Sequence, residues 1–352
     1  MELGIKSLFR TVLAAGILGT SVVTAVGMAP PSREKQATDV SKDLTELDEV
    51  SETCWTELRG KRLYFAHQSV GSNILKGVTE ILKQRPSIGL QLATYRPETT
   101  EKTRAEHSKD GKNSTSGDAE KKVAKEKSSD HASTDTEHAE PDAKTRKPPF
   151  ESPALVHGPA GPNGNPKQKI DDFVSMLRSS NGEKIDIAML KFCYADVDRS
   201  TDVEQLFEQY VAGIDTIRKE RPTTRILHCT IPLKAPETGA KAQVKKLVGA
   251  SGNTANAQRG RYNELLRAKY GRESIFDVAH VESERPDGSI CTVTVGRVKW
   301  PAMAAEYSED GGHLNATGQF VVGRELLLTL ARQCVDFTKP EVATVPTTGA
   351  TE

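Results

Sequence analysis

A chain of 352 residues can hold one large domain or two small ones. Its 48 Lys and Arg balance 48 Asp and Glu, so no global field draws it toward nucleic acid or an anionic membrane surface. The apolar share of 36% approaches the globular norm of roughly 45–50% once glycine is counted, and the shortfall is concentrated in one stretch.

At the N-terminus, Lys6 and Arg10 precede an apolar run from Thr11 to Ala29, interrupted only by Gly, Ser and Thr. A basic start, an apolar centre and small residues such as Ala25 and Gly27 predict a secretory signal over residues 1–29. At roughly 18 residues the run is also long enough to stay as a membrane anchor. Either way the chain is expected to be exported, to the periplasm, the cell envelope or the exterior, and to meet the membrane only through this segment. Residues 30–57 are polar and charged and read as a linker, with the ordered domain expected over residues 58–337.

Within that domain, strand and helix patterns alternate, which predicts a mainly parallel sheet with helices on both faces. Arg62 to Ala66 reads as a first strand. Val70, Ile74, Leu75, Val78, Ile81 and Leu82 then recur at helical spacing. Gly89 to Tyr95 gives a second strand. Residues 98–149 follow, built of Lys, Glu, Asp, Ser, Thr and His, with Val123 nearly the only large aliphatic side chain. Such a composition cannot offset its ordering entropy, so this insert is expected to be disordered, interrupting one domain rather than separating two. Its histidines (His107, His131 and His138) are too scattered to suggest a metal site.

Pro166 opens a helix carrying Ile170, Phe173, Val174 and Leu177. Ile185 to Cys193 is a nearly all-apolar third strand, expected at the sheet centre. A helix through Val203 to Ile217, a strand from Arg225 to Ile231, a helix from Thr254 to Lys269 and a strand from Ser274 to Val278 follow. Asp277 and Glu282 read as caps or salt-bridge partners near its end. The last helix runs from Ala316 to about Cys334, before a loose tail over 338–352. The five cysteines (Cys54, Cys193, Cys229, Cys291 and Cys334) fit no metal-ligand spacing. In an exported protein they allow one or two disulfides, and Cys54 with Cys334 would tie the domain's ends together.

Two short segments carry candidate chemistry. His67-Gln68-Ser69-Val70-Gly71 stands where the first strand meets the first helix, at the carboxyl edge of a parallel sheet. There the helix N-terminus would favour an oxyanion beside Ser69, although serine at this position is also a common helix cap. Asp310-Gly311-Gly312-His313 lies on a loop just before the final helix. Asp310 could orient the imidazole of His313 while His313 takes a proton from Ser69. Each segment alone is a weak signal, and the pair is a much stronger one.

A serine after the first strand and a late DxxH before the last helix resemble the SGNH (GDSL-like) hydrolase superfamily. The segments HQSVGSNIL, NPKQKIDDF, LKFCYADV, LFEQY and EDGGHLNATG resemble a bacterial branch of it. The resemblance runs from Lys61 to Cys334 without the insert. It implies an α/β fold, a flavodoxin-like three-layer α/β/α sandwich, with esterase, lipase or carbohydrate deacetylase activity and no cofactor or metal. The partner implied is a small-molecule or carbohydrate ester.

The chain also departs from the family pattern. Only the serine of Gly-Asp-Ser is kept, since His67 and Gln68 precede it. For the oxyanion, Gly161 and Gly164 compete for the family's glycine. Where the family has a donating Asn, in Gly-x-Asn-Asp, this chain reads Cys193-Tyr194-Ala195-Asp196. Asn163, Asn165 or Tyr194 would have to supply the missing donor, whose loss can cost roughly 10²–10³ in rate. His67, Tyr194 and Lys191 are expected to face the same crevice. The rival reading from this departure is a non-catalytic binding or structural protein on the same fold, with a degraded oxyanion hole.

Overall fold

The computed structural model describes residues 44–96, 149–237 and 252–335. The expected signal or anchor at 1–29 and the tail at 338–352 lie outside these residues, as do nearly all of the 98–149 insert and the first part of the linker. Among the described residues, no helix is long and apolar enough to cross a membrane.

The element order is α1 (residues 44–48), α2 (Glu52–Arg59), β1 (Arg62–His67), α3 (Val70–Gln84), β2 (Leu92–Thr94), β3 (Ala154–Pro159) and α4 (Pro166–Arg178). Then come β4 (Ile187–Leu190), α5 (Val203–Glu220), β5 (Arg225–Ile226), β6 (His228–Cys229), α6 (Gly252–Tyr270) and β7 (Ile275–Phe276). The chain continues with α7 (Val278–Ser283), the hairpin β8 (Thr292–Val295) and β9 (Val298–Pro301), and α8 (Ala316–Val335).

Five strands form a parallel sheet in the order β2-β3-β1-β4-β5. The Leu227 N–H donates to the Ala188 carbonyl at 3.0 Å, and β6 pairs in parallel with β7, so the strand layer continues on that side. Both faces are covered, which is why the strands are apolar without alternation. Leu63, Phe65, Leu155, Ile187 and Met189 point into one core, shared with α2, α3 and α8. Tyr64, Ala66, Val156, Ala188 and Leu190 point into the other, with α4, α5 and α6. The result is the expected three-layer α/β/α arrangement.

Four features depart from the sequence reading. Residues 44–57, assigned to a polar linker, are largely helical, with Leu44, Leu47 and Trp55 buried in the α3–α8 core. Their apolar positions recur at a spacing of three, but too few of them occur to stand out among charged neighbours. The strand β3 was not anticipated, because its apolar run is short and ends in Gly158-Pro159. The β8–β9 hairpin, antiparallel and outside the main sheet, was also missed. All five cysteines are free thiols, so neither the disulfides that export would allow nor a Cys54–Cys334 tie is formed.

One contact matters for the site. A Cβ on Gly77 would stand 1.8 Å from the Gln319 carbonyl oxygen, and one on Gly323 would stand 2.7 Å from the Val78 nitrogen. Helices α3 and α8 thus touch backbone to backbone, as only glycine at those positions permits. These are the two helices whose N-terminal ends adjoin Ser69 and His313.

Candidate active site

Ser69 is the residue before α3, at the C-terminal edge of the central strand β1. Its φ of 46° makes it the only non-glycine residue with positive φ among the described residues. A conformation of this kind costs roughly 1–3 kcal/mol and persists only where the surroundings impose it. Here they do so from both flanks. The Gln68 side chain donates to the Gly161 carbonyl at 2.9 Å. The His67 ring, on the other flank, packs against Gly71 so closely that a Cβ there would lie 2.4 Å from it. Ser69 does not act as a side-chain cap for α3, so its hydroxyl is free for other bonds.

That hydroxyl lies 2.6 Å from His313 Nε2. On the far side of the ring, Nδ1 lies 2.6 Å from Asp310 Oδ2. Asp310 Oδ1 in turn accepts the backbone N–H groups of Gly312 (2.8 Å) and His313 (2.7 Å). Ser308 Oγ donates to the His313 carbonyl at 2.6 Å, closing the loop at its base. Gly311 takes a φ of 76°, which lets the chain reverse within four residues. Burial works against the charge of the Asp310 carboxyl. The His313 backbone N–H, the His313 ring and the Gly312 N–H outweigh it and hold that carboxyl well below the usual carboxylate range. A charged Asp310 bonded to Nδ1–H leaves Nε2 as the acceptor facing Ser69, the tautomer that proton removal requires.

Joined to the relay through Gln68 is the glycine-rich turn between β3 and α4. Its N–H groups were expected to point at substrate, and they do not. The Gly161 N–H donates to Asp172 Oδ2 and the Gly164 N–H to Asp196 Oδ1, each at 2.8 Å. Asn163 Oδ1 accepts from Lys169 Nζ at 2.9 Å, and Asn165 Oδ1 caps α4 through the Gln168 N–H. The loop is braced from behind by carboxylates that spacing along the chain does not reveal. Among the described residues, the Ser69 N–H meets no acceptor, and it stands at the N-terminal end of α3.

The remaining expected crevice residues divide. Tyr194 is half-buried at the rim, its ring edge-to-face with His313 at 5.8 Å between centroids. His67 and Lys191 lie beneath the site instead of lining it, at 6% and 0% exposure. His67 Nε2 faces His157 Nδ1 at 3.2 Å, so its ring is turned away from the relay. Burial, with the nearby charge of Lys191, pushes the His67 imidazole down to about 3 and keeps it neutral. Lys191 donates to the Phe192 carbonyl, and its burial pushes the ammonium down to about 8.

Sequence reasoning missed the roles of several supporting groups. Buried Lys169 pairs with buried Asp196 at 2.6 Å, and the same carboxylate oxygen accepts the Cys193 N–H. Arg259, on α6, donates from Nε to the Tyr194 carbonyl at 2.9 Å. Glu282 is fully buried and accepts the Leu233 N–H, and burial pushes its carboxyl up to about 8. Glu282, read from the sequence as a cap or salt-bridge partner, instead holds that backbone N–H. Among the others only Lys169, a charge on the buried stripe of α4 beside Ile170 and Phe173, left a sequence signal.

No protein-family model and no curated protein matches this sequence. Among solved structures, the chain is similar to a proposed platelet activating factor from Streptococcus pneumonia, at 14% identity and a TM-score of 0.33, over 50% of this chain and 73% of that one. It is also similar to a proposed lipolytic protein of the G-D-S-L family from Desulfitobacterium hafniense DCB-2, at 12% identity and a TM-score of 0.28, over 50% of this chain and 81% of that one. Likeness this faint bears no weight on chemistry, which rests on the geometry of the site itself.

Proposed function

We propose that this protein is an exported serine ester hydrolase that removes an O-acyl group from a carbohydrate or another extracytoplasmic ester. The observation that carries the reading is the continuous relay from Ser69 Oγ through His313 to Asp310, with both links at 2.6 Å. Its order along the chain also fits the resemblance to SGNH hydrolases.

In this reading His313 Nε2 takes the Ser69 proton as Oγ attacks the ester carbonyl. Asp310 holds the imidazolium that forms and keeps the ring oriented. The oxyanion develops beside the Ser69 N–H, where the α3 dipole end favours negative charge. His313 then protonates the departing alcohol, and a water molecule, activated by the same imidazole, cleaves the acyl-serine.

One observation favours the second reading, a binding protein that has kept the fold. The Gly161 and Gly164 N–H groups are already bonded to Asp172 and Asp196, which leaves the oxyanion fewer donors. A fluorophosphonate probe separates the two, because it reacts only with an activated serine. Strong labelling of the wild type that vanishes in Ser69→Ala and in His313→Ala is the expected outcome. An unlabelled, folded wild type would leave the binding protein as the better reading.

A further inference from the structure

We infer that Tyr194 is a positioning residue for His313, its ring forming the wall that keeps Nε2 aimed at Ser69. The inference rests on reading Ser69, His313 and Asp310 as a catalytic triad. It assigns to Tyr194 a task on the opposite half of the site from the oxyanion role considered for it.

Three observations converge on this ring. It meets the His313 imidazole edge-to-face, with an interplanar angle of 75°. It also fills the space over the preceding residue, because a Cβ on Gly312 would lie 3.0 Å from Tyr194 Cζ and 3.1 Å from its hydroxyl oxygen. The ring therefore restricts both the imidazole and the backbone turn whose N–H groups orient Asp310. In addition, Lys234 Nζ and the Arg259 guanidinium lie 5.3 and 5.9 Å from the ring centroid, so cations hold the ring from its own side.

The backbone beneath Tyr194 is as firmly held as the ring. Its carbonyl accepts from Arg259 Nε, and Arg259 Nη1 donates to Asn256 Oδ1 at 2.7 Å. The short turn Tyr194–Asp196 is pinned by Asp196, which accepts the Cys193 N–H and the buried Lys169 ammonium. His313 itself sits on an exposed loop, its side chain 45% accessible. A rigid sheet-edge turn thus lends its order to a loop that lacks burial of its own. The Tyr194 hydroxyl makes no hydrogen bond among the described residues, so the ring, not the hydroxyl, does the holding.

The test compares the full-length chain with Tyr194→Phe and with two ringless variants, Tyr194→Leu and Tyr194→Met, on p-nitrophenyl acetate, with thermal melts to check folding. Tyr194→Phe is expected to keep kcat within about twofold. The ringless variants should lose roughly ten- to a hundredfold in kcat, the scale of an ångström-level misplacement, with KM little changed. The downfield proton resonance of His313 Nδ1–H should stay sharp in Tyr194→Phe and broaden in both ringless variants. A folded ringless variant with wild-type kcat and a sharp resonance would overturn the inference. So would a Tyr194→Phe as damaged as the ringless variants, since the hydroxyl would then act directly. The resonance needs no turnover, so an inactive wild type would sink the hydrolase reading while leaving the positioning claim to be judged by that signal.

Discussion

On one wall of the site, Ser69, His313 and Asp310 bond to one another in a relay whose imidazole and carboxylate are exposed. On the other, Gly161, Asn163, Gly164 and Asn165 bond to groups behind them, and a salt bridge buried to within 1% of full enclosure holds that wall in place. The first joins a local, exposed Asp310–His313 pair, three residues apart, to a serine 244 residues away. The second is ordered by partners no more than 32 residues away. Proton transfer needs free lone pairs at a fixed distance, whereas a supporting loop needs only to stay where it is. The two walls accordingly spend their hydrogen bonds in opposite directions.

The largest expected effect falls on the relay wall. Asp310→Asn should leave the fold intact and lower kcat by about 10⁴, because an amide no longer enforces the tautomer with Nε2 as acceptor. Steady-state kinetics on an activated ester checks this. The wild-type carboxyl is held below the ordinary range, so it contributes stability that is present above the unfolded carboxylate pKa of about 3.9 and is lost as pH falls through the depressed value. The acid limb of wild-type activity above pH 4 should therefore not follow Asp310. A smaller and different effect is expected on the braced wall. Asp196→Asn strands the Lys169 ammonium in a buried site and should cost about 3–5 kcal/mol, read by urea denaturation. If that variant kept full stability, the contrast between the walls would fail.

The smallest effect concerns strain. Ser69→Gly and Ser69→Ala both remove the hydroxyl, but only glycine relieves a φ of 46°. The glycine variant should be more stable than the alanine variant by about 1 kcal/mol, measured by thermal or urea unfolding. Equal stabilities would mean that His67 and Gln68 do not impose the turn, and that the serine adopts it at little cost.

How much of this was legible in the sequence follows the same division. The alternation of apolar strands and amphipathic helices gave the layered fold, and Ser69, Asp310 and His313 stood out because each lies at the end of a strongly patterned element. The helices over residues 44–59 escaped because Leu44, Leu47 and Trp55 are isolated among charges. The strand β3 escaped because three apolar residues followed by His-Gly-Pro resemble a turn. The bracing of Gly161 and Gly164 could not be read at all. A glycine-rich loop has the same spacing whether its N–H groups face a ligand or a buried carboxylate, and only folding brings Asp172 and Asp196 to them.

The backbone contact between α3 and α8 has a consequence for how this chain can change over generations. Ser69 and His313 are separated by 244 residues, yet the helices beginning beside them are locked flank to flank at Gly77 and Gly323. The distance between nucleophile and base is therefore fixed by one crossing near the chain's two ends, and not by the length of what lies between them. A long insertion between β2 and β3 leaves from the edge strand and returns to its neighbour, outside that crossing. Length added there leaves the α3–α8 crossing untouched. The glycines at the crossing are where even a single methyl group would be felt at the serine.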